Sequence, residues 1–174
     1  MEEAGFRETE HGLVPEGEGW FIVNAREIAW ETIPGSGTWC GFASPDDTGL
    51  EIAIGVHVLD PGEANGMYHA EDAQEGFFVL EGECLVIVEG EERHLKQWDY
   101  FHCPNGTEHI TIGAGEGPCA ILMLGSRKPG RAIRYPVSAL AAPFDASVAE
   151  ETDSAREAYA GQPDPVPARA PWPS

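Results

Sequence analysis

The chain has 174 residues, 42% of them hydrophobic, enough for one domain with a sizeable core. Thirty Asp and Glu against ten Lys and Arg give a formal net charge of -20, which repels phosphate backbones and anionic lipid and argues against nucleic acid or a membrane surface as partner. No apolar run approaches the ~20 residues that span a bilayer, and Met1-Glu2-Glu3 does not open a secretory leader, so the expectation is a cytoplasmic protein.

Residues 1–19 carry six Glu against one Arg and no apolar period, which predicts a flexible acidic arm. From Trp20 the texture becomes that of short strands: Trp20 to Val23, Thr38 to Phe42 and Leu50 to Leu59, parted by turn-formers at Pro34-Gly35-Ser36-Gly37 and Ser44-Pro45-Asp46-Asp47. In Leu50 to Leu59 the alternation sets Leu50, Ile52, Ile54, Val56 and Val58 on one face and Glu51, Ala53, Gly55 and His57 on the other. One face is core; the other lines a cavity or meets solvent.

A stretch rich in donors follows, Pro61 to Gly82, with His69, Glu71 and Glu75 leading into the apolar run Phe77-Phe78-Val79-Leu80. Glu83 to Val88 and Glu92 to Leu95 flank a hairpin signal at Glu89-Gly90-Glu91. Tyr100 to Cys103 runs into the turn Pro104-Asn105-Gly106, after which His109 to Ile112 and Ala120 to Leu124 complete the series. Short strands with a turn every ten residues or so, and no crossover helix between them, predict an all-β domain that is closed or built of two sheets.

Beyond Gly125, residues 127–134 hold four of the ten basic residues, a cluster expected to pair with carboxylates; recognition of an anionic ligand is the sharper alternative. Ser147 and Glu150 form a capping box ahead of Val148, Ala155 and Tyr159, predicting a short C-terminal helix stopped at Gly161. Five prolines between Gln162 and Ser174 predict an extended tail. The implied domain map is an arm over 1–19, a β-domain with an N-terminal strand extension over 20–140, and a helix with tail over 141–174. Small β-barrels hide their edges by pairing with a second copy, so a homodimer is expected, with Trp20 to Ile28 as the strand to exchange. The four cysteines, Cys40, Cys84, Cys103 and Cys119, form no CxxC pair and are expected to be reduced core residues.

His69 and Glu71 are two apart on a strand and share a face, Glu75 has the same parity, and His109 on a later strand can join them. Three or four such N and O donors converging on one point suit a divalent metal. His102, of opposite parity to Cys103, is read as a surface or outer-layer residue, and His57, His94 and His11 as weaker candidates. Phe77 and Val79 share the parity of His69 and are expected to point inward.

These residues resemble the cupin superfamily, whose motifs are G-x5-H-x-H-x3,4-E-x6-G and G-x5-P-x-G-x2-H-x3-N. His69-x-Glu71-x3-Glu75-x6-Gly82 follows the first and Pro104-x-Gly106-x2-His109 the core of the second, over a match from Leu50 to Leu124. The nearest likeness is to small single-domain cupins of the conserved-barrel type. The resemblance implies a double-stranded β-helix, or jelly-roll barrel, with metal ligands at His69, Glu75 and His109. Four positions depart from it. Glu71 stands in place of the second His, six residues rather than five separate Gly62 from His69, Trp98 stands where the second motif opens with Gly, and Gly113 replaces its Asn.

If Glu71 binds the metal, two carboxylates cancel the charge of a divalent ion and weaken its Lewis acidity. If it stays off, His69, Glu75 and His109 form a two-His, one-carboxylate set with open positions, and Glu71 is a catalytic base beside it. Oxygen-rich ligation favours Zn, Fe or Mn. The first reading of function is a metalloenzyme of oxygenase or isomerase type acting on a small polar metabolite; the second is a non-catalytic module that binds or senses a small ligand.

Overall fold

The computed structural model describes residues 1–44, 49–127 and 129–172. Most of the turn predicted at Ser44 to Asp47, Lys128 of the basic cluster, and Pro173 and Ser174 of the tail lie outside the described residues.

Strands β1 (Gly5–Thr9) and β2 (Gly12–Glu16) form an N-terminal hairpin, followed by β3 (Trp30–Thr32), β4 (Thr38–Gly41), β5 (Ile52–Leu59), β6 (Ala70–Glu71) and β7 (Glu75–Glu81). Then come β8 (Glu83–Val88), β9 (Glu91–Lys96), β10 (Tyr100–Cys103), β11 (His109–Ala114), β12 (Cys119–Ser126), β13 (Ile133–Arg134) and β14 (Val166–Ala168). A 3-10 turn, Ala142–Phe144, and one helix, α1 (Ala155–Ala158), complete the elements. The fold is all-β with one short helix, as expected. No helix among the described residues is long and apolar enough to cross a membrane.

Seven strands make one antiparallel sheet in the order β10-β7-β12-β5-β4-β3-β14, three make a second in the order β11-β8-β9, and β13 pairs with β6. The chain passes from the large sheet to the small one at Gly82, between β7 and β8. A left-handed φ of 72° turns the corner there, and an added Cβ would lie 2.6 Å from the Pro118 carbonyl oxygen, so glycine is required. The β8–β9 loop has only Glu89 and Gly90 between paired Val88 and Glu91, both with positive φ, as in a type I′ hairpin.

Inward positions of the two sheets meet in one apolar core, in which Leu59, Phe77, Val79, Cys84, Val86, Cys103, Cys119 and Ile121 are buried. Each fully buried aliphatic side chain contributes about 1.5–3 kcal/mol. Phe77 and Val79 thus point inward as their parity predicts, and all four cysteines are buried and free. The outer face of the small sheet is covered by the segment bearing Leu140, Ala141, Phe144 and Ala146, which packs on Leu85, Ile87, Ile110 and Ile112.

Four expectations differ from the structure. Residues 1–19 pair as the β1–β2 hairpin, closed by Arg7 donating to Glu16 at 2.8 Å and by the Phe6 ring set edge-on to Phe21 at 5.6 Å. Trp20 to Val23 is not a strand: Trp20 makes a single bridge to Glu3, and Ile22 is exposed. The segment up to Ile28 is instead tied to its own hairpin, Leu13 donating to Glu27 O at 2.7 Å and Ala29 to Leu13 O at 2.8 Å, so it is not a free strand to exchange. The helix begins seven residues later than the Ser147 capping box suggests. Ser147 Oγ accepts from Ser138 N and caps nothing, whereas Ser154 caps α1 by accepting from Glu157 N. The Pro-rich tail is extended as expected, and its residues 166–168 add β14 at an open sheet edge. There Pro167 costs little, and Trp172 sits edge-on to buried Trp30 at 5.2 Å.

Candidate metal centre

The two histidines meet because the residue just before β6 lies beside the first residue of β11. His69 and His109 form a reciprocal antiparallel bridge, His69 N donating to His109 O at 3.1 Å and His109 N to His69 O at 2.8 Å, which sets the ring centroids 4.7 Å apart. The turn before β11 is pinned to the first stretch as well: Gly106 N donates to Glu71 O at 2.7 Å, and Asn105 Nδ2 to Asp72 Oδ1 at 2.8 Å. Glu75 enters from the facing sheet, at the first position of β7, opposite Cys103 of β10 and Gly125 of β12.

Each imidazole is held through Nδ1. His69 Nδ1 lies 2.7 Å from Met67 O and His109 Nδ1 3.0 Å from Thr107 O, contacts only an N–H can satisfy, so both Nε2 atoms carry lone pairs. Those lone pairs converge on Glu75 Oε2, 3.8 Å from His69 Nε2 and 3.3 Å from His109 Nε2. His109 Nε2 and Glu75 Oε2 are buried without a hydrogen bond. Three such donor atoms aimed at one point form an arrangement that a cation completes. One ligand atom from each of His69, Glu75 and His109 lies within 4.8 Å of the others, so the residues fit a divalent ion.

Burial sets the protonation in the metal-free state. It pushes His109 down to about 4, with His69 adding to the effect and Thr107 O opposing it, and it lowers His69 too. The surroundings of His109 explain the size of the effect, for Phe77 and Phe101 stand edge-on to its ring at 5.2 and 5.9 Å. Glu75 is pushed up to about 7 by burial and by Glu71, with Arg131 pulling it back. Neutral imidazoles are the form that binds metal, and a buried carboxylate that resists ionisation is one that gains from a bound cation.

Glu71 is brought beside the cluster but turned from its centre. It is buried, with Oε1 3.8 Å from His69 Nε2 and Oε2 3.0 Å from Arg131 Nη1, a charge contact lacking the angle of a hydrogen bond. The basic segment therefore does pair with carboxylates of the same chain: Arg131 with Glu71, and Arg134 with Glu108 and Glu151 at 2.6 and 3.3 Å. Cys103 Sγ lies 3.4 Å from His109 Nδ1, and burial holds its thiol up at about 12, which makes it a packing group rather than a nucleophile. His102 and His94 are exposed and outside the site, whereas His57 and His11 line a cavity that reaches Glu71 and Glu75.

That cavity holds about 860 Å³, a volume suited to a small metabolite. Sequence reasoning missed Arg131 as the partner of Glu71 and Trp39 as part of the cavity wall. Trp39 could have been found by pairing its strand with the His57 face; the basic run over 127–134 predicted a carboxylate partner for Arg131 but not which one.

The Cupin domain family model matches residues 55–125, the stretch that holds both motifs and the whole cluster. The chain carries a cupin domain. Among solved structures, the polyketide cyclase RemF from Streptomyces resistomycificus aligns with a TM-score of 0.56 at 16% identity, over 65% of this chain and 84% of that one. KdgF from Halomonas sp. aligns with a TM-score of 0.51 at 22% identity, over 64% and 97%. A cupin-superfamily sugar phosphate isomerase from Silicibacter pomeroyi aligns with a TM-score of 0.50 at 20% identity, over 56% and 64%. These are likenesses of fold. A search of curated proteins finds no significant match.

Proposed function

We propose that this cupin is a cytoplasmic metalloenzyme that binds a divalent ion, Zn, Fe or Mn, at His69, Glu75 and His109 and acts on a small polar metabolite in the adjoining cavity, by isomerisation or oxygen-dependent chemistry. The observation that carries the reading is the convergence of two Nε2 lone pairs on a buried, hydrogen-bond-free carboxylate oxygen at the cavity wall. A bound divalent ion would supply Lewis acidity at that point. Glu71 lines the same cavity and, paired with Arg131, is the residue placed to take a proton from a bound ligand at Oε1. Arg131 also offsets the Glu71 charge, so Glu75 alone lowers the charge of the ion. A carboxylate poised at the cavity wall favours proton abstraction and isomerisation over oxygen chemistry.

Metal analysis and turnover on the purified protein test this. His109→Ala should abolish stoichiometric metal, whereas Glu71→Ala should keep the metal and lose turnover. Loss of metal from Glu71→Ala would make Glu71 a ligand, and a wild type that neither holds nor is stabilised by Zn, Fe or Mn would overturn the proposal. For self-association, the outer face of the large sheet is a better candidate than the segment before Ile28. Tyr100, Phe78 and Leu122 stand in register across β10, β7 and β12, Leu124 pairs with Ile54 of β5, and Trp98, Tyr100, Ile52 and Ile54 are 66, 52, 54 and 41% exposed. In a chain of net charge -20, two copies approach with least repulsion through such an uncharged face.

A further inference from the structure

The cavity beside the metal cluster differs from end to end. On the large sheet, Gly125 pairs with both Glu75 and Ala53, Gly55 pairs with Met123 and with Gly41, and His57 pairs with Trp39. A diagonal floor of small residues therefore runs from Glu75 toward the Trp39 ring, across roughly 20 Å of sheet at ordinary strand spacing and rise. Gly41 has no atom within 4 Å of where a Cβ would stand and its φ is not left-handed, so the free space above it comes from the missing side chain and not from a backbone requirement.

The far end carries no cation: its one acid, Glu31, pairs in register with Trp39 and is exposed, which disfavours an anionic group there. His57 gives Nε2 to Ser36 O at 3.0 Å and is held near pKa 4 by burial, so it is neutral at ordinary pH, and its ring lies against Trp39 at 5.3 Å. The near end brings two guanidiniums beside Glu71 and Glu75. Arg131 spends one edge on Glu71 and is 38% exposed, which leaves its remaining N–H groups for the cavity. Arg127 lines the same cavity and meets no carboxylate among the described residues, although the chain has thirty carboxylates for ten Lys and Arg. In so acidic a protein, a cavity-lining guanidinium without an acidic partner is a ready site for an external oxyanion.

We infer that the cavity takes an elongated organic anion: an oxyanion head, carboxylate or phosphate, is held by Arg127 and the free edge of Arg131 beside the metal cluster, and an apolar body lies over Gly41, Ala53 and Gly55 toward Trp39. The inference rests on the proposal that this cavity is the ligand site, but it does not require the metal. It names the charge and shape of the ligand, and it assigns Arg127 a specificity role.

Calorimetric titration of metal-free, full-length protein tests it with four probes: 4-phenylbutyrate, phenyl phosphate, 4-phenyl-1-butanol and butyrate. The two aryl anions should bind at least tenfold more tightly than the alcohol, which lacks the charge, and than butyrate, which lacks the body. Their ranking tells a carboxylate head from a phosphate head. Arg127→Gln should remove most of the preference for anion over alcohol. Gly41→Leu, at a position with room for a side chain, should weaken both aryl anions and leave butyrate unchanged. Equal binding of acid and alcohol, an unchanged preference in Arg127→Gln, or no binding of any probe overturns the inference. Metal uptake measured on the same samples separates the two ideas: metal bound without anion binding leaves the metal centre standing alone, and anion binding without metal uptake leaves the ligand site standing alone.

Discussion

Replacing Glu75 by Gln should change the sign of its effect on stability according to pH and metal. In the metal-free protein the Glu75 side chain is 15% exposed, faces an unprotonated nitrogen of His109 at 3.3 Å, and has its pKa raised from 4.5 to about 7. A carboxyl harder to ionise in the folded than in the unfolded chain costs nothing below pH 4.5, costs progressively more between 4.5 and 7, and costs its full amount above 7. The shift corresponds to an upper figure of about 3 kcal/mol. Glu75→Gln removes that cost, so at pH 8 with chelator the variant should be more stable by about 1–3 kcal/mol, a Tm gain of about 3–10 °C. At pH 4.5 the two proteins should melt within a degree or two of each other, because most of the wild-type carboxyl is already protonated when folded. His109, lowered to about 4, destabilises as pH falls below 6.5, but both proteins carry it and it drops out of the difference. With Zn, Fe(II) or Mn at about 100 times Kd the wild type should gain about 2.7 kcal/mol and the variant far less, which reverses their order. Differential scanning calorimetry at both pH values, with chelator and with metal, reads all of this. A Glu75→Gln protein that melts below the wild type at pH 8 without metal, or gains as much from metal, would refute the reasoning.

Gly113→Ala should cost about 3 kcal/mol or more in urea denaturation, since its Cβ would lie 2.1 Å from the Asp60 carbonyl oxygen and neither backbone can move aside cheaply. Trp98→Gly should be neutral to stabilising by about 1 kcal/mol in the same assay: Trp98 sits at φ 77°, is 66% exposed, and gives up only a tilted contact with Phe78. Ile54→Glu, on the exposed face of β5, should shift the protein toward a ~19 kDa species in light scattering without lowering its Tm; an unchanged mass would remove that face as the dimer contact.

Trp98 and Gly113 show what a motif comparison can and cannot carry. Both positions depart from the cupin pattern, yet each is explained by backbone geometry: Trp98 adopts the left-handed φ that the pattern gives to glycine, and Gly113 sits where only glycine clears Asp60. The strands from Thr38 to Leu124 were legible because alternation is a local signal, and the pairing of His69 with His109 follows once the two sheets close. The elements missed were those set by distant partners. β3 and β14 are three residues each and exist because they pair with each other, β3 also with β4, and Trp20 to Val23 has the composition of a strand without an edge to join.

The same distinction governs Glu71. Spacing placed it on the face of His69 and left two roles open, ligand or base, because parity says which way a side chain leaves the strand and not what meets it. What meets it is Arg131, sixty residues on in a loop with no periodicity of its own. A carboxylate already matched by a guanidinium gains less from a metal than Glu75, which has no cation of its own in hydrogen-bond contact. The partition of labour between the two acids is therefore set by a loop, and exchanging Arg131 for a neutral residue should draw Glu71 toward the metal and weaken the ion as a Lewis acid. Metal affinity that rises in Arg131→Gln while turnover falls is the result this account requires; metal affinity that stays the same or falls would refute the charge-matching role of Arg131.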